Sequence, residues 1–368
     1  MKVKIMPIIA IVIFGLIVSL VFSSVPKKIE KAPRGKITIV DDLGRETSLS
    51  KPVKKIVVVS GTYNADIICA LGKGDKIVGI MYSPKSQLLP ELRKKESVGE
   101  SWVEPNLEKI RELNPDVVIA NPYLKKEVAE KLEEWGMPIL CFRSYTDEEV
   151  HRAIEQFGKM LGKEKRAKEL WEFIESKLNL IKERVKDLKP EKKPKVYKER
   201  YQQYHTVSSL EKQTLLTPWG EYSAKNLGNW MIEFAGGINC IGKQPVAYLE
   251  VDPEFVREAN PDIIVKFSLW KNEEVWRAPS EETMKKVWEE VIGRRTLKNV
   301  KAVKEGKVYI IYSKILAGPR GIVGLCYFAK WFHPNLFYDI SPQKIHEEMW
   351  KKFWGVELEG TWAYPPLK

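Results

Sequence analysis

The chain is poor in the residues that usually carry chemistry. Its 368 residues include four cysteines and four histidines. Cys69, Cys141, Cys240 and Cys326 each sit in an apolar run and none makes a CxxC pair, so metal binding through thiolates is not indicated. Buried free thiols are the expectation, and a disulfide stays open. His151, His205, His333 and His346 are scattered, without the HExxH spacing of a zinc-binding helix. There is no GxSxG, no P-loop and no GxGxxG after a strand. No nucleophile comes with a base beside it, and the carboxylates lie mostly at helix positions, where a solvated face explains them. An enzyme is therefore not expected. Low-complexity tracts are missing, as are zinc-finger, KH and RNP patterns.

Charge is plentiful. Lys and Arg number 61 against 49 Asp and Glu, a formal net charge of +12. The two signs are interleaved along helix faces rather than clustered, so nucleic acid is not the expected partner. Such a surface suits a hyperthermophile, and a positive cleft that attracts an anion is the second reading. Residues 5–22 carry no charge, follow Lys2 and Lys4, and precede Lys27, Lys28 and Lys31. This reads as a membrane anchor or signal segment over residues 1–26, with an uncleaved anchor favoured and the rest of the chain outside the cell. Residues 27–35 would be a tether. No cysteine follows closely, so lipid attachment at this place is not available.

The length exceeds what one hydrophobic core usually serves, so two domains are expected. They are organised around residues 147–188, where Val150, Ile154, Phe157, Leu161, Ala167, Leu170, Ile174, Leu178, Ile181 and Val185 recur at helical spacing. The pattern predicts a helix to about Leu161 and a second over 163–188, roughly 37 Å long at 1.5 Å per residue. KPEKKP over 189–194 then stops it. Short apolar strands alternate with helices on both sides, at 56–59, 76–81, 117–120 and 138–142 and again at 195–198, 263–267 and 308–311. That order implies two α/β lobes with mostly parallel sheets covered on both faces. The boundaries read as 36–146 for the first lobe, 147–193 for the helical spine, 194–340 for the second lobe, and 341–368 for a C-terminal helix and tail. Residues 199–223 read as a long loop.

One internal echo stands out. EKIRELNPDVVI over 108–119 and EFVREANPDIIV over 254–265 share Glu, Arg, Glu, Asn, Pro and Asp at matching positions, and most other positions are apolar in both. Each lobe would hold one copy, and each copy starts with an exposed glutamate, so a two-fold symmetric partner could grip the pair. Ligands of open α/β sheets bind beyond the carboxyl ends of the strands. The residues expected there are Tyr63, Tyr82, Trp102 and Tyr123 in the first lobe. In the second they are Arg200, Tyr201, Tyr204, His205, Trp219, Tyr248, Trp270, Tyr312 and Arg320. Flat aromatic surface and forked arginine donors facing each other would clamp a large, flat, partly anionic molecule.

Several segments together resemble the class III substrate-binding proteins of ABC importers, which carry iron–siderophore complexes, haem or vitamin B12. They are ITIVDDLGRETSL from Ile37, VGESWVEPNLEKIRELNPDVVIA from Val98, the long central helix, AGGIN from Ala235 and VDPEFVREANPDIIV from Val251. The likeness runs from about Gly35 to Tyr338. It implies two Rossmann-like lobes bridged by one long helix, limited lobe closure and no cofactor. By this resemblance the chain hands a metal chelate to a permease dimer with its ATPase subunits. An iron(III)–siderophore complex comes first and cobalamin or another corrinoid next. Glu108 and Glu254 then fall on the family glutamates that dock on permease arginines, with Glu104 and Glu250 as second candidates. Trp102, Tyr248 and Arg320 fall near positions that line the cleft of the B12-binding member, and Tyr63 and Tyr82 lie on neighbouring loops. The long stretch 199–223 and the extension from Ser341 depart from the pattern. Two rival readings are a metal-dependent chelatase or hydrolase on a related fold, hinted at only by His205 with nearby carboxylates, and a surface-anchored interaction protein without a small ligand.

Overall fold

The computed structural model describes residues 35–82, 88–200, 202–268 and 279–367. The segment read as an anchor and nearly all of the tether lie outside these. Among the described residues, no helix is long and apolar enough to cross a membrane.

The N-terminal lobe opens with an antiparallel hairpin, β1 (Lys36–Val40) and β2 (Glu46–Ser50). Its turn is built by Asp41, whose carboxylate accepts from the backbone of Leu43, Arg45 and Cys141 and pairs with the Arg45 side chain. A parallel sheet follows: β3 (Ile56–Val58), β4 (Ile77–Ile80), β5 (Glu96–Ser97), β6 (Val117–Ala120) and β7 (Ile139–Cys141), in the order β5-β4-β3-β6-β7. Helices α1 (Thr62–Ala70), α2 (Leu107–Leu113) and α3 (Lys126–Glu134) cover it. β3 and β6 are buried throughout, as parallel strands covered on both faces must be.

The central stripe forms α4 (Asp147–Leu161) and α5 (Glu164–Val185). They are separated at Gly162, whose φ of 64° ends α4 in the left-handed region. α4 packs on α1 and β1 of the first lobe, so the rod between lobes is α5 alone, about 33 Å long at 1.5 Å per residue. Its buried residues Phe173, Ile174, Leu178, Ile181 and Val185 belong to one apolar core that runs through both lobes.

The C-terminal lobe is less regular. Its strands are β8 (Lys195–Glu199), β9 (His205–Val207), β12 (Ile238–Asn239), β13 (Tyr248–Glu250), β14 (Ile263–Ser268), β15 (Val308–Tyr312) and β16 (Ala363–Tyr364). They run β13-β9-β8-β14-β15-β16, with β12 also beside β8. β8, β14 and β15 are parallel; β9, β13 and β16 are antiparallel additions. The stretch 199–223 is therefore not a loop. It holds β9 and most of a hairpin, β10 (Lys212–Thr217) and β11 (Gly220–Lys225). Helices α6 (Leu227–Phe234), α7 (Pro253–Ala259), α8 (Glu281–Ile292), α9 (Lys301–Lys304), α10 (Gly321–Phe332) and α11 (Pro342–Met349) complete the lobe.

The internal echo is a structural equivalence. α2 and α7 end at Asn114 and Asn260, both left-handed, with φ of 45° and 42°. In each copy the aspartate two residues on caps the start of the neighbouring central strand: Asp116 accepts from the amides of Lys54 and Lys55 ahead of β3, and Asp262 from that of Lys195 in β8. Each copy then enters a strand paired with that neighbour.

Three further contacts join the lobes. The β10–β11 hairpin reaches onto the first lobe: Trp219 stacks 3.7 Å from Arg45 and donates to Glu133, Tyr222 donates to Glu149, and Lys225 pairs with Glu148. The C-terminal segment gives β16 to the second sheet, while the Trp354 indole donates to the carbonyl of Asp66 in α1. Between these, residues 313–320 touch α1 and the loop after β7: Gly318 donates its amide to Ser144, Lys314 donates to Thr62 and Arg320 pairs with Asp66. Gly318 has φ +65°, and a Cβ there would lie 2.9 Å from Tyr63, so backbone and ring meet as only glycine allows.

Candidate ligand-binding cleft

A cleft lies between the lobes, with an inner cavity of about 150 Å³. From the first lobe come Ser60 to Tyr63 after β3, Tyr82 after β4, Trp102 after β5 and Tyr145 after β7. These are carboxyl ends of parallel strands, where loops leave the sheet and side chains converge. From the second lobe come Lys198 and Arg200 of β8 and the residue beyond it, Tyr248 of β13, Phe267 of β14, Gly228 of α6, and Lys314 after β15.

The walls are held by specific contacts. Tyr63 and Tyr145 meet edge to face at 5.7 Å, and burial pushes the Tyr63 phenol up to about 12. The Arg200 guanidinium lies 4.2 Å from the centre of the Tyr248 ring. Tyr82 adopts φ 67°, unusual for a bulky residue, and its amide donates to Gly99, which turns the ring toward the cleft. Lys314 donates to Thr62 Oγ1 at 2.7 Å, placing an ammonium by the first turn of α1. Lys198 is 1% exposed, with its Nζ 4.2 Å from the Phe267 ring centre. Burial, and then Arg200, hold Lys198 well below the usual lysine range. Burial does the same to Lys314, opposed by Asp66 and aided by Arg320. Among the described lining residues there is no carboxylate. Among the described residues, no group of three His, Cys, Asp or Glu side chains is placed to hold a metal ion.

This geometry has a match among known proteins. The family model described as periplasmic binding protein fits residues 56–315. The chain belongs to the periplasmic binding protein family. It is a class III substrate-binding protein of the kind that serves ABC importers. A similar relative is the uncharacterized ABC transporter substrate-binding lipoprotein YvrC of Bacillus subtilis, 27% identical over 307 residues, which is 82% of this chain and 87% of that protein. An iron-uptake system-binding protein, also of Bacillus subtilis, is 27% identical over 59% of this chain and 61% of its own length, less than two thirds of that relative. Among solved structures, the TroA-like periplasmic binding protein FepB of Veillonella parvula superposes with a TM-score of 0.70 at 25% identity, covering 90% of this chain and all of that one.

This periplasmic binding protein brings together Tyr63, Tyr82, Trp102, Arg200 and Tyr248 of the residues expected in the cleft. Tyr123 stands behind Trp102, ring to ring at 5.8 Å. The others lie elsewhere. Trp219 is at the hairpin tip, spent on Arg45 and Glu133. His205 is in β9, between β13 and β8, 3.7 Å from Glu250, and among the described residues it belongs to no cluster that could hold a metal ion. Tyr204 hydrogen-bonds Thr296. Tyr312 is buried against Trp362. Arg320 is buried, paired with Asp66 and flanked by Trp350 and Trp362, so its fork serves the joint between lobes. Tyr201 and Trp270 fall outside the described residues. Sequence reasoning passed over Tyr145, Lys198, Phe267 and Lys314; the available signal was a lysine inside an apolar strand (Lys198 in KVYKER) or beside one (Lys314 in IIYSKIL).

Glu108 and Glu254 are exposed in the first turns of α2 and α7. Each helix precedes a parallel strand and runs against it, so both glutamates stand on the side where the cleft opens. Glu104 is tied to Lys125 and Glu250 faces His205. The four cysteines are free.

Proposed function

We propose that this chain is the extracytoplasmic receptor that delivers an iron(III) chelate to an ABC permease. The carrying observation is the cleft itself: strand ends of both lobes face one another with Tyr63, Tyr82, Trp102 and Tyr145 on one side and Tyr248, Phe267 and Arg200 on the other. Aromatic faces recognise the flat organic arms of a chelator, and the cations its charge. Iron is the cargo named for one relative. Glu108 and Glu254, in equivalent places on the duplicated unit, form the docking pair for the two-fold permease. Residues 5–22 hold the receptor at the membrane; YvrC is a lipoprotein, whereas the first cysteine here is Cys69, inside the folded lobe.

Two assays test this reading. Tryptophan fluorescence of the full chain is titrated with a ferric siderophore, cobalamin and haem, and quenching by the ferric complex that disappears in Trp102→Ala is expected. Vesicles containing the permease and ATPase then report uptake. Glu108→Lys with Glu254→Lys is expected to abolish uptake while binding is retained, and undiminished uptake would sink the docking assignment.

A further inference from the structure

The first lobe has a second feature at the far end of the strands that build the cleft. Ser60 to Tyr63 and Tyr82 line the cleft past the carboxyl ends of β3 and β4. Just before the amino ends of the same strands, Lys51, Val53, Lys73 and Lys76 line a groove of about 220 Å³ together with Met160 and Leu161 of α4. Among its described lining residues there is no carboxylate. The near acid is Asp75, which pairs with Lys76 at 2.9 Å and also feels Lys73, so the lysines outnumber it. Lys36 and Lys54 are exposed beside them. The described chain also begins here: the Lys51 amide donates to the Gly35 carbonyl, at 2.6 Å. Residues 23–34, which lead back to the uncharged run 5–22, carry Lys27, Lys28, Lys31 and Arg34 against Glu30. Positive charge is therefore continuous from the end of that run to the groove.

Resting on the receptor reading above, in which residues 5–22 sit in the membrane, we propose that this base of the first lobe is a lipid-binding face. Its lysine groove takes the phosphate headgroup of an anionic phospholipid from the bilayer that holds the anchor. Lysine ammoniums meet phosphate as compact point charges, and the apolar side chains of Val53, Met160 and Leu161 suit the carbon part of a headgroup. The length of the connection supports this partner. Residues 23–35 span at most about 45 Å when fully extended, so the groove never leaves the neighbourhood of the headgroups. Linkage of this kind lets contacts count that are too weak to hold a free protein, and one anchor plus a basic patch is a stable combination. The pose has a direction. Because groove and cleft lie at opposite ends of β3 and β4, a receptor resting on its base turns the cleft away from the bilayer, toward arriving cargo. Glu108 and Glu254 stand on the cleft side, so the receptor turns over to dock.

Energy transfer from the full-length chain to an acceptor-labelled lipid tests the proposal. The donor dye is placed by Ser50→Cys beside the groove or by Lys109→Cys beside Glu108, both exposed positions. Cys240→Ser is the background, since Cys69, Cys141 and Cys326 are buried. The chain is reconstituted in vesicles of phosphatidylcholine alone or with about 30 mol% phosphatidylglycerol. With the anionic lipid, transfer is expected to be about twofold stronger from Ser50→Cys than from Lys109→Cys, and raising salt from about 0.05 M to about 0.5 M should erase most of the difference. Lys51→Glu with Lys73→Glu should abolish the preference, whereas Lys51→Arg with Lys73→Arg should keep it. Equal transfer from the two labels, or a preference that ignores lipid charge and survives the double Glu variant, would overturn the lipid face. Absence of transfer from both labels in both vesicles would overturn it together with the anchor. Cargo titration of the double Glu variant should match that of the parent chain, and a loss there would move the two lysines from the membrane to the ligand. The receptor reading stands or falls separately, on the uptake assay with Glu108 and Glu254.

Discussion

The two faces of β8 carry the same kinds of side chain to different ends. Behind the strand, Glu199 is matched by Lys266 on the adjacent strand and by Arg294, and all three are almost wholly buried. In front, Lys198 is equally buried, and among the described residues it meets the Gly228 carbonyl and the phenyl rings of Phe267 and Phe328. One face is a closed electrostatic circuit that holds the lobe together, and the other looks into the cleft. The contrast separates architecture from recognition within five residues. A buried charge held by matched partners marks the fold, and a buried cation turned toward a cleft marks a candidate for recognition.

Denaturation of Lys266→Met and Lys198→Met would sharpen this contrast most. Lys266→Met should cost about 3 kcal/mol in urea unfolding, because it strands part of a buried network. Lys198→Met should leave stability unchanged or raise it, since an ammonium with no matched acid among the described residues is replaced by an apolar chain. A large loss for both would erase the distinction. Trp102→Ala comes next: stacking area is lost at the rim, and affinity should fall about tenfold, a little over 1 kcal/mol, with stability preserved. A third probe is a buried group sealed away from the cleft. His346 is fully buried against Trp350 and Trp362, and among the described residues neither ring nitrogen has a hydrogen-bond partner. Burial and Arg320 hold it well below the usual histidine range. The unfolded chain therefore takes up a proton near pH 6.5 that the fold refuses, so stability is full above that pH and declines as pH falls below it. His346→Leu should flatten this decline in thermal melts between pH 5 and 7, and an unaltered slope would assign it elsewhere. The smallest effect is Trp219→Ala at the hairpin tip. It should cost about 1 kcal/mol of stability and leave affinity within twofold, the mark of an aromatic on the architectural side of the comparison.

Much of the fold was legible because local pattern and tertiary role agree. Short apolar runs between amphipathic helices announced the parallel strands, and the twelve-residue echo announced an equivalence that the left-handed asparagines and capping aspartates make physical. Tyr63, Tyr82, Trp102 and Arg200 could be placed at the cleft because they lie in or just past the connections that leave β3, β4, β5 and β8, while Tyr248 opens β13. Lys198 and Lys314 were hidden by abundance: among 61 Lys and Arg, two more draw no notice unless their strand context is weighed. Arg320 illustrates the opposite limit. Its partner Asp66 is 254 residues away, and no local pattern announces that this fork is already occupied. The β10–β11 hairpin was missed because KQTLLTPWGEYSAK alternates weakly and half its side chains stay exposed, so its pairing comes from register rather than burial.

The C-terminal segment changes how the two lobes can move. A single rod such as α5 lets two bodies bend and twist about it. Here the chain returns after the second lobe, gives one strand to that lobe's sheet and anchors Trp354 on the first lobe's α1. The hairpin supplies another attachment at Trp219 and Tyr222. Two supports make a hinge, while three that are not in line make a frame. In mechanical terms the two lobes are braced by the hairpin, the C-terminal segment and residues 313–320 as well as by the rod. Among the described residues the hairpin is held to the first lobe by side-chain contacts, one of them from Arg143 to the Lys225 carbonyl.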